Sequence, residues 1–209
     1  MLGVRFGNNH SWNDWGIIRV NVENDPPEIQ RYTIEVPGRN GLLDLTPSLT
    51  NKVCYGPRNI ICTFHVKSGG WTALLSRIMN EVHGRTLNVY DDLDPDHYWR
   101  GICSYDSFAS DEKTGTLVLT CQADPYKYQV SETVETLTGS GTLVCENDRM
   151  EVIPEITVTE ETTIVFGTVS ATLAAGTHKV ADIEFTEGDN ELEITGSGTT
   201  TIRYRQGRL

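Results

Sequence analysis

The segment Trp71-Thr72-Ala73-Leu74-Leu75-Ser76-Arg77-Ile78-Met79-Asn80-Glu81-Val82 decides how this chain folds. Its apolar side chains Trp71, Leu74, Leu75, Ile78, Met79 and Val82 recur at steps of three and four, which places them on one stripe of an α-helix. Gly69-Gly70 leads into the stripe, and Gly84 stands where a left-handed cap would end it. On either side the chain reads as short strands punctuated by Gly, Pro, Asn and Asp. A lone helix with one apolar face buries that face on a sheet, which predicts a mainly β fold with one packed helix.

Upstream, strands are expected at 16–22 (GIIRVNV) and 30–36 (QRYTIEV), separated by the breaker Asp25-Pro26-Pro27. Pro37-Gly38-Arg39-Asn40-Gly41 is a tight turn, with Asn40-Gly41 suited to positive φ, and Leu42, Leu43 and Leu45 follow it. A longer strand, 59–66 (NIICTFHV), runs up to the helix. Downstream, 86–90 and 97–105 frame the acidic bend Asp91-Asp92-Leu93-Asp94-Pro95-Asp96, and 116–123 (TLVLTCQA) closes this half.

Asp124-Pro125-Tyr126-Lys127-Tyr128 marks a boundary, so domains are expected over 1–128 and 129–209. All four tryptophans precede it. After it, Glu191-Leu192-Glu193-Ile194 alternates with period two. So does 200–205, with Ile202 and Tyr204 on one face and Arg203 and Arg205 on the other. The string TGSGT occurs at 138–142 and again at 195–199, and both copies read as hairpin turns. Short strands spaced by turns predict a C-terminal β-sandwich. A unit of that size has a thin core and leans on a neighbour.

The 209 residues carry a net charge of −12. Residues 131–209 hold 14 acidic and 5 basic groups, net −9, and residues 1–130 hold 15 and 12, net −3. Such a surface does not cling to nucleic-acid phosphates, which demand clustered Lys and Arg. Cys54, Cys62, Cys103, Cys121 and Cys145 are odd in number and lack C-x-x-C spacing, which argues against a zinc ribbon or a disulfide framework. Free thiols on strands suit a chain folded in a reducing cytoplasm. Neither a secretory signal nor an apolar run of about 20 residues is evident, so no membrane span is expected.

The acidic bend is the best metal candidate, with four carboxylates within six residues. It lacks the glycine and the closing glutamate of a calcium loop and reads as a solvated hairpin tip. His10, His65, His83, His97 and His178 have no metal-ligand spacing and read as structural, with His83 suited to the helix C-terminus. No G-x-S-x-G string occurs, and Gly139-Ser140-Gly141 and Gly196-Ser197-Gly198 lack the other glycines of a phosphate loop. No catalytic residue, cofactor site or metal site is therefore expected. Phe166, Phe185 and Tyr204 read as core of the second domain rather than a sugar-stacking platform. Trp12 and Trp15, in a polar segment, read as an exposed protein-contact pair.

These motifs form an ordered series. It runs from Asp14-Trp15-Gly16-Ile17 through Val36-Pro37-Gly38-Arg39-Asn40-Gly41, Leu43-Asp44-Leu45-Thr46 and Tyr55-Gly56-Pro57-Arg58. It continues with Val82-His83-Gly84-Arg85 and Asp94-Pro95-Asp96-His97-Tyr98-Trp99-Arg100-Gly101. The series resembles the distal tail proteins (Dit) of long, non-contractile-tailed bacteriophages over residues 2–126, and the end of the chain, 201–209, resembles their closing strand. The resemblance implies an N-terminal sandwich or split-barrel-like domain that forms a hexameric ring, and a galectin-like C-terminal sandwich projecting from it. It further implies a virion protein of the tail tip, made in the bacterial cytoplasm. Such a ring joins the tail tube protein to the tail-associated hub and receptor-binding proteins, with the genome passing through its channel. Gly38, Arg39, Asn40 and Gly41, together with Asp92, Asp94 and Asp96, are the candidate subunit-contact residues. The rival readings are a carbohydrate-binding accessory module that touches the host cell wall and a tail tube protein; an enzyme ranks last, for want of a nucleophile–base pair.

Overall fold

Residues 1–50, 52–67, 71–111 and 113–209 are described here from a computed structural model. The segment Trp71–Val82 is helical. Ile78 and Val82 are fully buried, and Trp71, Leu74 and Leu75 are partly buried against the same core. Met79 differs from the expectation: it lies at the border of the stripe and stays exposed. The helix ends as its sequence requires, with Gly84 at φ 73° donating its amide to the Cys103 carbonyl at 2.8 Å. The expected lead-in, Gly69-Gly70, lies outside the described residues.

The chain divides into two units, Met1–Pro125 and Tyr126–Leu209. The first contains β1 (Val4–Phe6), β2 (Asn9–His10), β3 (Ile18–Asn24), β4 (Ile29–Gln30), β5 (Thr33–Glu35), β6 (Leu42–Asp44), the five-residue helical turn α1 (Thr46–Thr50), β7 (Cys54–Tyr55), β8 (Arg58–Lys67), the helix α2 (Trp71–Val82), β9 (Arg85–Asp91), β10 (His97–Ser110) and β11 (Thr114–Ala123). An antiparallel sheet runs in the order β2-β1-β9-β10-β11-β8-β3. Alternation along β8 and β11 turns Ile60, Cys62, Phe64, Leu117, Leu119 and Cys121 into one core. α2 covers that core, with Trp71 set edge-on to Phe108 of β10 at 5.5 Å. The sheet curls until its two sides meet. Arg19 on β3 reaches Asp91 at the end of β9 at 2.8 Å, and both side chains are nearly buried. The expected strand 30–36 is broken into β4 and β5.

The second unit contains β12 (Lys127–Gln129), β13 (Thr133–Thr138), β14 (Gly141–Asn147), β15 (Glu155–Val158), β16 (Thr162–Phe166), β17 (Val169–Leu173), β18 (Gly176–His178), β19 (Gly188–Thr195), β20 (Thr199–Tyr204) and β21 (Gly207–Arg208). It is a sandwich of two sheets, β13-β20-β15-β18 and β14-β19-β16-β17, while β12 pairs with β21. Ile156, Ile164, Ile183, Phe185, Leu192 and Ile202 fill the space between them.

The two TGSGT strings are not hairpin turns. Each carries the chain from one sheet to the other: β13 and β20 share a sheet, and so do β14 and β19. The two corners lie side by side. The Gly139 amide donates to the Gly198 carbonyl at 2.9 Å, and the Gly196 amide donates to Ser140 Oγ at 3.1 Å. Gly139 takes φ 80°, and a Cβ on Gly198 would lie 2.6 Å from Thr159 Oγ1, so glycine is required at both corners.

Candidate interaction surface

Between β3 and β8 the chain leaves the sheet. Asp25-Pro26-Pro27 ends β3, because proline has no amide to extend the ladder. Residues 25–50 and 52–57 then form an arm of two small ribbons. β4 pairs with β7 (Ile29↔Tyr55, Gln30↔Cys54), and β5 pairs with β6 (Thr33↔Asp44, Ile34↔Leu43, Glu35↔Leu42). The Leu45 amide bonds to the Tyr32 carbonyl at 2.8 Å, and the Tyr32 amide to the Thr46 hydroxyl at 2.9 Å. The Thr46 hydroxyl and then its amide hold the Asp44 carboxyl below its ordinary pKa.

The arm is pinned at its root. The Asp25 amide bonds to Asn59 O at 3.1 Å, and the Gly56 amide to Glu28 O at 2.7 Å. Arg58, 5% exposed, donates Nε to Asp25 O at 3.0 Å and Nη1 to Pro125 O at 3.2 Å. Burial draws the Arg58 pKa down, and the charge of Asp25 opposes that pull.

A two-stranded ribbon has no body to bury its apolar face against. Ile29, Tyr32, Ile34, Leu42, Leu49 and Val53 are all exposed, Leu42 at 61% and Leu49 at 65%. A cleft of about 400 Å³ opens beside them, lined by Ile29, Arg31, Asp44, Lys52 and Val53. So many large apolar side chains exposed in one segment make it the candidate interaction surface of this unit.

Gly38, Arg39, Asn40 and Gly41 form the exposed tip of this arm and join β5 to β6. The Arg39 amide donates to Val36 O at 3.1 Å, and the positive φ angles fall on Gly38 (83°) and Gly41 (79°). The exposed apolar residues behind the tip were not read from the sequence. Their alternation in QRYTIEV matches a strand with one covered face, and sequence alone does not say whether a cover exists.

The other candidate residues lie in the bend between β9 and β10. Rather than a fully solvated tip, the bend is tied down within its own unit. Asp91 pairs with Arg19, and Asp92 accepts the Gly3 amide at 2.7 Å and His10 Nε2 at 3.0 Å. Asp94 meets His97 Nδ1 at 2.9 Å, and Asp96 is exposed. His10 Nδ1 accepts the amides of Trp12 and Asn13, both at 3.1 Å, which leaves Nε2 to carry the hydrogen toward Asp92. Burial alone would raise the Asp92 carboxyl; the Gly3 amide, the His10 ring and the N-terminal charge outweigh it and hold the pKa below the ordinary value. Among the described residues no group of three or more His, Cys, Asp or Glu is arranged to hold a metal ion.

The expected exposed tryptophan pair is corrected. Trp15 is 4% exposed and stacks on Phe6 at 5.8 Å, with its indole N–H donated to Glu81 of α2 at 2.8 Å; Trp12 is half-buried. Polar neighbours concealed a core residue whose one polar atom finds a partner 66 positions away. In the second unit Phe185 and Tyr204 are buried and Phe166 packs against them, so these three rings offer no stacking platform. Cys62, Cys103, Cys121 and Cys145 are buried free thiols. Burial pushes Cys62 up and takes Cys145 to about 12, while a side-chain hydrogen bond with Cys103, together with burial, raises Cys121. The raised pKa of Cys62, Cys121 and Cys145 keeps these three thiols protonated rather than as nucleophilic thiolates.

No protein-family profile matches the chain, and no curated protein matches it. Among solved structures it is similar to the crystal structure of SPP1 Dit (gp 19.1), described as a paradigm of the hub adsorption apparatus in phages infecting Gram-positive hosts. The likeness covers 100% of each chain with a TM-score of 0.70 and 14% sequence identity. At that identity the shared property is the fold: this chain has a mainly β, Dit-like fold.

Proposed function

We propose that this protein is a structural component of a bacteriophage tail tip, a distal tail protein whose copies close into a hexameric ring joining the tail tube to the hub and receptor-binding apparatus. The observation that carries the reading is the full-length likeness to a phage Dit protein, spanning both units rather than one common module. The apolar arm supports it, because a projecting segment that cannot cover itself is suited to head-to-tail contacts that close on themselves. In this reading residues 1–128 supply the ring contacts, with the arm tip Gly38–Gly41 among them. Residues 129–209 are available to neighbouring tail-tip proteins, and the work of the protein is assembly rather than turnover.

Light scattering and negative-stain electron microscopy of the purified full chain test this. A mass near six chains with discrete rings is the expected result. Extended tubes would replace it with the tail-tube reading, and a single-chain mass up to high concentration would count against self-assembly. Dose-dependent glycan binding by the full chain would promote the carbohydrate-binding reading.

A further inference from the structure

We propose that Asn40, at the tip of the arm, is a site of spontaneous self-modification, where the free chain converts its own side-chain amide to a carboxylate. Asn40-Gly41 is the single Asn-Gly pair in the sequence. The first half of the tip is held, because the Arg39 amide donates to Val36 O at 3.1 Å. The second half is not: neither the Asn40 side chain nor the Gly41 amide has a hydrogen-bond partner among the described residues. An amide without an acceptor is free to give up its proton and attack. Gly41 takes φ 79°, and nothing lies within 4 Å of where its Cβ would stand, so its nitrogen can swing toward Asn40 Cγ without a clash. Both residues are exposed, in the kind of loop tip where chemical change concentrates.

Water is the only co-reactant. The deprotonated Gly41 nitrogen bonds to Asn40 Cγ, the Cγ–Nδ2 bond breaks, and ammonia leaves with the displaced proton. Water then opens the resulting five-membered imide at either carbonyl. Breaking the new N–Cγ bond leaves aspartate. Breaking the original peptide bond leaves isoaspartate, whose main chain runs through the side chain and is one carbon longer. Either product places a carboxylate beside Arg39, and the longer link enters just before Leu42, where the β5–β6 ladder closes at Glu35↔Leu42. Asn190 and Asn147 are the opposite case. Asn190 is buried with Nδ2 donated to Thr186 O at 2.8 Å and Gly188 O at 2.9 Å, and Asn147 is buried with Nδ2 on Met150 O at 2.8 Å. Glu191 and Asp148 follow them, so a side chain crowds each attacking nitrogen.

Ageing the full chain in warm, mildly alkaline buffer tests this, with digestion and mass spectrometry at intervals. The peptide holding Asn40 should gain one dalton and become a substrate for an isoaspartyl methyltransferase, many times faster than the peptides holding Asn147 and Asn190. Its rate should rise in proportion to hydroxide. It should also lie within a few-fold of the rate in urea-denatured chain, since no hydrogen bond restrains this half of the tip. Asn40→Gln, which would have to close a six-membered ring, should abolish the signal with far-UV circular dichroism unchanged. An Asn40 peptide still unmodified when the denatured chain has converted overturns the proposal. So does equal conversion at Asn190, or methyl uptake that persists in Asn40→Gln.

Discussion

Neighbouring residues 78 and 79 of α2 should respond oppositely to truncation. Ile78 is fully buried on the sheet core, whereas Met79 is 44% exposed. Ile78→Ala removes three buried carbons at about 0.8 kcal/mol each, about 2.4 kcal/mol, and the residual cavity raises the loss to about 3 kcal/mol. Met79→Ala removes mostly hydrated surface and gains slightly in helix propensity, so its effect should stay within about 0.5 kcal/mol. All four tryptophans lie in the first unit, so their fluorescence in a urea titration follows that unit alone. With a slope of about 2 kcal/mol per molar urea, the Ile78→Ala midpoint should fall by about 1.5 M while that of Met79→Ala hardly moves. Equal shifts for the two variants, or a larger one for Met79→Ala, would refute the packing of this helix.

Three further outcomes are expected. The folded pKa of Asp92 is depressed, so its contribution to stability is complete above the unfolded value of about 3.9 and disappears as pH falls through the folded value; Asp92→Asn should therefore flatten the acid limb of a stability-versus-pH curve and leave its alkaline side parallel to wild type. Gly198→Ala should destabilise the second unit by about 1–3 kcal/mol through its clash with Thr159, seen as a lower melting temperature by far-UV circular dichroism with the tryptophan transition unmoved. Only Cys54 should react rapidly with a thiol reagent in the native chain, all five cysteines reacting once denaturant is added.

The helix and the strands around it were legible because periodicity records which side of an element is covered. Ile78 and Val82 follow the 3.6-residue repeat, and Ile202 and Tyr204 follow the two-residue repeat. Partners remote in sequence were not legible. A strand, a Gly-Ser-Gly and another strand look alike whether the strands pair with each other or with different neighbours, and Thr138 pairs with Thr199 rather than within its own turn. Trp15 looked exposed among His10, Ser11, Asn13 and Asp14 until α2 supplied Glu81. For the candidate surface, the turn chemistry of Gly38–Gly41 pointed to the right tip, but the uncovered apolar side chains behind it obey the same alternation as covered ones.

The adjoining Gly-Ser-Gly corners of the second unit have a further consequence. Each is shared by a strand of either sheet, so the pair acts as a rivet through both layers: sliding one layer by a residue would tear the corner bonds and turn the inner side chains outward. Extra sequence spliced in at Ser140 or Ser197 would unpick both layers, whereas the exposed Gly167–Thr168 bend between β16 and β17 interrupts only its own hairpin. Decoration of this unit with new modules is thus confined to rims away from the rivet.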